Sequence, residues 1–408
     1  MKPPQPLLPA LLQAVGALGF LLPSAPAADW LQFRGPNGSA VSPESGIPSS
    51  LSESTLAWKI NLPGRGISSP LVIGDRLFLT ASSGPEQDRL HFLCLRASDG
   101  TLLWERQFWA TGRTMTHPKI GVATCSPCSD GTHLFATFSS NDVFCLDLEG
   151  NLLWMRGLTR DYPNASNSLG MASSPLLADG TLVLSVENDS ESFAIGLDAK
   201  TGLNRWKIER PKASNWSSPV LVSPEQGAPL VGLLSASGIH FVDAATGKEH
   251  TRFEGGGSTV ASLTPAKGTL LVPAKGTTAL RLPSPNAAPE VLWQNAQMIN
   301  STVSPVALKD RVYTLNNAGI LKCSQLGSGE KVWQLRTTGP YSATPVASGD
   351  FLYLINEKGL LQAVDTTAPE GSIASTLDLR DTFIGTPSIG GKALYLRSDS
   401  HLYRISAR

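Results

Sequence analysis

The sequence predicts an all-β fold: an eight-bladed β-propeller of four-stranded antiparallel blades, its last blade closed by the N-terminal strand. Three observations predict it. A Ser/Thr-Pro step recurs at Ser69-Pro70, Ser126-Pro127, Ser174-Pro175, Ser218-Pro219, Thr264-Pro265, Ser304-Pro305, Thr344-Pro345 and Thr386-Pro387, 40 to 57 residues apart. Trp58, Trp104, Trp154, Trp206, Trp293 and Trp333 end repeats, four of them four residues after a glycine. The final repeat, TPSIGGKALYLRSDSHLYRI, holds three strands, and the missing fourth, LAWKINL around Trp58, stands at the other end of the chain. Periods of this length with four short strands each are the signature of a propeller, and sharing a blade between the two ends closes the ring.

Each element has a local reason. LVIGDRLFLT, TLVLSV, FLYLIN and KALYLR are β-branched, aromatic and leucine-rich, and Gly-Asp, Asp-Gly and Gly-Gly pairs mark two-residue hairpin turns. The second hairpin of a repeat, as in NDVFCLDLEGNLLW, places an Asp that bonds the turn backbone ahead of a glycine that takes the left-handed conformation. The tryptophan after that turn is expected to plug the gap between neighbouring blades, a structural role. The proline suits the first residue of a strand, where a missing amide is tolerated. The longer first interval falls in SSGPEQD and FWATGRTMTHPKIGVAT, read as loops. Degenerate repeats carry Thr251 and Ser375 in the tryptophan's place, and PSPNAAPE replaces one turn.

Residues 1–28 read as a signal peptide, residues 29–54 as a leader arm and residues 55–408 as the propeller. Lys2 precedes the apolar run LLPALLQAVGALGFLL, and Ala25-Pro26-Ala27 supplies a small-residue cleavage pattern. The mature chain is expected to start near Ala28 or Asp29, in the periplasm or cell envelope, without a transmembrane span. No cysteine stands at the cut, against a lipoprotein. An uncleaved anchor is the alternative reading. Formal charge is zero and no basic stripe occurs, which argues against nucleic-acid binding.

Five cysteines leave at least one unpaired. Cys94, Cys145 and Cys323 share one repeat position and read as core. Cys125 and Cys128 replace a serine and an aliphatic residue, with a short-range disulfide as the alternative. Glu187-Asn188-Asp189 reads as a solvated hairpin loop rather than a metal site. No nucleophile elbow, zinc-helix, phosphate-loop or dinucleotide motif occurs.

The repeat sentence, carried by DGTLLWER, LDAKTGLNRWK, VDAATGKE and GSGEKVWQL, resembles the PQQ-like propeller repeat over about residues 55 to 408. DWLQFRGPNGSAVSPESGIP is similar to the W-x-Q-W/F-R-G-P leader of exported proteins of planctomycetes and their bacterial relatives, with Arg34 placed to pin the arm to the ring. The resemblance implies two kinds of relative. Quinoprotein alcohol dehydrogenases bind pyrroloquinoline quinone (PQQ) and calcium. The outer-membrane assembly lipoprotein BamB uses the ring as a scaffold. The adjacent cysteine pair of many such dehydrogenases is missing here. The expectation is therefore an exported, monomeric, non-catalytic scaffold that binds another envelope protein, with no cofactor and no metal site. A PQQ- and calcium-dependent oxidoreductase is the alternative, and a carbohydrate-binding propeller the second.

A ligand or partner site is expected where residues ahead of each Ser/Thr-Pro step converge on one face. The candidates are Arg65, Asn167, Met171, Trp216, Asn300, Tyr341 and Phe383.

Overall fold

The computed structural model describes residue 1, residues 29–165 and residues 169–407. The expected signal peptide and Asn167 lie outside the described residues. The rest forms eight sheets arranged as blades, each with four antiparallel strands that run in sequence order from the inside out in all but blade eight. Blade one is Leu71–Ile73, Arg76–Ser83, Arg89–Arg96 and Leu102–Trp109. The last strand runs through Phe108 and Trp109, so FW belongs to the blade rather than to the loop expected there. Blade eight is Ser388–Gly390, Ala393–Arg397 and His401–Ser406, completed outside by Leu56–Asn61, with Trp58 opposite Arg404. The innermost strands of blades one and eight touch, closing the ring.

A belt of hydroxyl groups ties the blades together around the axis. The Ser69 amide donates to Ser126 Oγ, Ser126 to Ser174, Ser174 to Ser218 and Ser218 to Ser262. Ser262 then donates to Ser304, Ser304 to Thr344 and Thr344 to Thr386, all at 2.8–3.2 Å. Ser69 Oγ closes the circuit by donating to the Thr386 carbonyl at 2.7 Å. In blade five the belt residue is Ser262, two places before the expected Thr264. Leu263 therefore occupies the usual proline position, and Pro265 falls within the innermost strand, Thr264–Ala266. Such a strand tolerates proline because its inner edge has no ladder partner.

The six tryptophans stand between blades. Trp206 is 7% exposed, and its indole N–H donates to the Ala244 carbonyl of the next blade at 2.9 Å. The equivalent bonds join Trp58 to Ala97, Trp104 to Leu148, Trp154 to Ala199 and Trp293 to Leu326. Trp333 lies against Gly371. Each ring covers the glycine of the neighbouring turn, as Trp206 covers Gly247.

The leader arm crosses the lower face, where the inner hairpins turn. Trp30 pairs with Val72 of blade one, and the Leu31 carbonyl accepts from the Ser129 amide of blade two. Arg34, 1% exposed, donates from Nη1 to the Leu263 carbonyl at 2.7 Å and from Nη2 to Thr264 Oγ1. Burial lowers its pKa to about 9. Val41–Ser42 then adds a parallel fifth strand to the innermost strand of blade seven, Val346–Ser348. The Tyr353 hydroxyl donates to the Ile47 carbonyl farther along.

Two local expectations change. Glu187 and Asn188 are buried rather than solvated, because Arg210, 23 residues on, supplies Glu187 with a counter-ion at 2.6 Å. Asn215 Nδ2 also donates to Glu187 at 2.9 Å. All five cysteines are free and buried, so Cys125 and Cys128 form no disulfide. Burial pushes the Cys125 thiol up to about 12, the state of an inert core thiol rather than a reactive one.

Candidate functional site

The connectors between blades converge on the upper face, and there the axis widens into a cavity of about 360 Å³. Its wall has two tiers. The lower tier is the hydroxyl belt from Ser126 round to Thr386. The upper tier lies two residues earlier in every connector, at Ile67, Thr124, Ala172 and Trp216, and at Val260, Thr302, Ser342 and Ile384. Extended backbone alternates its side chains, so positions two apart face the axis together and the residue between them faces the blades. Phe33 of the leader arm reaches the cavity from below.

A strap from blade one to blade two, residues 110–121, arches over the mouth. Its His117 amide donates to the Leu169 carbonyl, and its Pro118 carbonyl accepts from Arg65 Nη2 at 3.2 Å. Lys119 Nζ reaches Glu357 of blade seven at 2.9 Å. Burial, the largest influence on Glu357, pushes its pKa up. The Ser342 hydroxyl and the Lys119 ammonium outweigh burial and leave the pKa below the usual carboxylate value. His117, Lys119 and Ile120 thereby become part of the cavity wall.

Of the sequence candidates, Trp216 lines the cavity, its indole N–H bonded to the Gly170 carbonyl at 2.8 Å. Arg65 sits on the rim, paired with Asp399 at 2.6 Å. Asn300 holds its connector to the Gly276 carbonyl and Thr277 Oγ1. Met171, Tyr341 and Phe383 belong to the core instead. Each lies three residues before its belt residue, an odd offset that turns the side chain away from the axis. The Tyr341 hydroxyl donates to Gln362 Oε1 at 2.7 Å, and Phe383 packs on Tyr403. The wall residues that sequence reasoning missed, such as Ile67, Val260 and Ile384, are found by counting back two from each belt hydroxyl.

Among the described residues the wall contains no carboxylate and no side-chain amide. Calcium takes six to eight oxygen ligands, carboxylates prominent among them, so this wall does not fit a quinone-bound calcium ion. The nearest match to that chemistry in the sequence, Glu187, is committed to Arg210 and Asn215.

Comparison with known proteins fits this architecture. The chain is 30% identical over 167 residues to a polyvinylalcohol dehydrogenase of Sphingopyxis sp. (strain 113P3), a match covering 37% of the chain and 23% of that enzyme's length. The crystal structure of BamB from Moraxella catarrhalis superposes with a TM-score of 0.61 at 16% identity, covering 86% of this chain and 96% of that one. Quinohemoprotein alcohol dehydrogenase from Comamonas testosteroni gives 0.69 at 11% identity, covering 93% and 81%. At these identities the two structures establish the fold alone. Residues 50–223, 127–249 and 196–408 each match one repeat family, so the chain belongs to the propeller family described as outer membrane protein assembly factor BamB.

Proposed function

We propose that this protein is a non-catalytic scaffold of the cell envelope that docks another envelope protein on the upper face of its ring. The observation carrying the reading is the apolar rim of the mouth. Met115 is 66% exposed and Ile299 52%, with Leu169 and Val260 exposed beside them on other connectors. Grouped exposed apolar side chains on one face mark an interaction surface. Family membership and the lack of carboxylates among the described lining residues support it. No helix among the described residues is long and apolar enough to cross a membrane.

The test is photo-crosslinking in envelope extracts, with a photoreactive residue at Leu169 in the otherwise native chain and in Met115→Glu/Ile299→Glu. A discrete crosslinked protein that disappears in the double variant supports docking. No discrete adduct at any salt concentration, or equal labelling in both chains, overturns it. The resemblance to polyvinylalcohol dehydrogenase motivates the competing oxidoreductase reading. Quinone- and calcium-dependent dye reduction would establish that reading in place of the scaffold.

A further inference from the structure

We propose that the central chamber binds a small ligand bearing one carboxylate on an apolar body, its anionic end seated against the hydroxyl belt. This goes beyond the scaffold reading, since it concerns the chamber beneath the docking rim.

Seven belt hydroxyls line the chamber, all at most 7% exposed. Each accepts an amide N–H from the preceding blade. None of the seven gives its own proton to an acceptor among the described residues. Only the eighth, Ser69, does so, to the Thr386 carbonyl. The lower chamber is therefore a ring of hydroxyls that each have one lone pair engaged by an amide and a proton still to give. Each of these protons can be given to an acceptor that enters the chamber.

The surrounding charge selects an anion over a neutral acceptor. Arg34 shares a small void with Phe33, Ser174 and Ser218 immediately below the chamber. Its guanidinium meets only a carbonyl and a hydroxyl, and its Nε has no partner. A buried cation without a carboxylate leaves a positive potential on that side. Arg397, also buried, hydrogen-bonds among the described residues to Ser68 alone, the residue before the belt, and leaves Nε and Nη2 without partners, with the Asp399 carboxylate acting on it without a bond. Above the donors the wall is mainly apolar, with Ile67, Ala172, Trp216, Val260 and Ile384 interspersed with Thr124, Thr302 and Ser342, and with His117 and Lys119 at the strap. A volume of about 360 Å³ suits a small molecule or the last residues of a polypeptide. A ring of donors below and a mainly apolar wall above fit a carboxylate inserted end-on. Free organic acids and polypeptide C-termini share that chemistry.

Calorimetric titration of the whole chain tests this with 4-phenylbutyrate against its primary amide, and with an apolar tripeptide bearing a free against an amidated C-terminus. Charge-assisted hydrogen bonds are roughly twice as strong as neutral ones, so a carboxylate should bind at least about tenfold more tightly than its amide. The pair that shows the difference identifies the source. Val260→Asp puts a negative charge at the chamber wall without touching the belt, and should weaken acid binding about tenfold or more by like-charge repulsion. Val260→Asn should retain it. Equal binding of acid and amide, no binding of any probe at millimolar concentration, or an unaffected Val260→Asp variant would overturn the proposal. Crosslinking at the rim is read on other residues, so either idea can fail alone.

Discussion

The clasp between a tryptophan and the next blade's glycine predicts a measurable coupling. A Cβ added to Gly247 would stand 2.6 Å from Trp206 Cδ2 and 2.7 Å from Cγ, at a backbone φ of +70°. Gly247→Ala should therefore be destabilising twice over. The left-handed backbone costs about 1–2 kcal/mol for a residue with a Cβ, and overpacking against the ring about 1–3 kcal/mol more. Trp206→Ala alone should cost about 3–5 kcal/mol, including roughly 1 kcal/mol for the bond to the Ala244 carbonyl. Once the ring is gone the steric part vanishes, and Gly247→Ala should then cost only about 1–2 kcal/mol. The four proteins of this cycle, unfolded in urea and followed by far-ultraviolet circular dichroism, should show a coupling of about 1–3 kcal/mol. Unchanged m-values are needed for the comparison. If Gly247→Ala is equally destabilising with and without the indole, the glycine is there for its backbone alone and the clasp argument is wrong.

Three other outcomes follow from the same geometry. Glu187→Gln strips the charge from a pair whose side chains are 1% and 0% exposed. It should cost about 3–5 kcal/mol in urea, with much of the loss recovered by Glu187→Met/Arg210→Met, which removes both charges. Arg34→Ala should free the leader arm, seen as rapid proteolysis within residues 29–50 while the ring resists; unchanged cleavage would mean that Trp30 and Val41–Ser42 suffice. The third concerns the strap, whose Lys119 pairs with Glu357 of blade seven, a carboxylate with a folded pKa below its unfolded value. Its contribution is therefore complete above the ordinary carboxylate pKa, about 4.3, and fades as pH falls through the lowered value. Amide protection in residues 110–121 should drop selectively in acid and in Lys119→Met at neutral pH, and strap protection that tracks the blades at every pH would contradict this.

Much of the ring was legible because its determinants are local and repeated. Belt hydroxyls, turn glycines and tryptophans recur at fixed spacing, and the orphan strand at Trp58 matches the gap in the last repeat. What escaped depends on parity or on distant partners. Choosing Tyr341 and Phe383 over Ser342 and Ile384 is a one-residue error, and in extended chain one residue is the difference between wall and core. The Thr264-Pro265 step imitates its neighbours so well that the slip shows in the bonds from the Ser218 amide to Ser262 and from the Ser262 amide to Ser304. Glu187 looks solvated until Arg210 is folded against it. Arg34 meets residues 229 and 230 positions away, beyond any local pattern.

The two degenerate interfaces show that the clasp behaves as one unit. Where Thr251 replaces the tryptophan of blade four, blade five also lacks the glycine turn, having PSPNAAPE instead. The Leu282 carbonyl, which corresponds to the Ala244 carbonyl that receives the Trp206 indole, accepts the Glu225 amide at 2.9 Å. Gln226 donates similarly to the Pro283 carbonyl, and Gly227 lies against Pro285, so a loop of blade four performs the tryptophan's bonding. Between blades seven and eight, Ser375 replaces the tryptophan and binds the leader arm, donating to the Ser49 carbonyl and accepting from the Leu51 amide. A lone indole at either place would meet an acceptor already taken or a neighbour already seated. Loss of the ring therefore goes with loss of its glycine, and each interface is rebuilt by a segment specific to this chain. Six junctions are stamped from the repeat and two are made by hand, which is why the period alone predicts the ring but not its asymmetry.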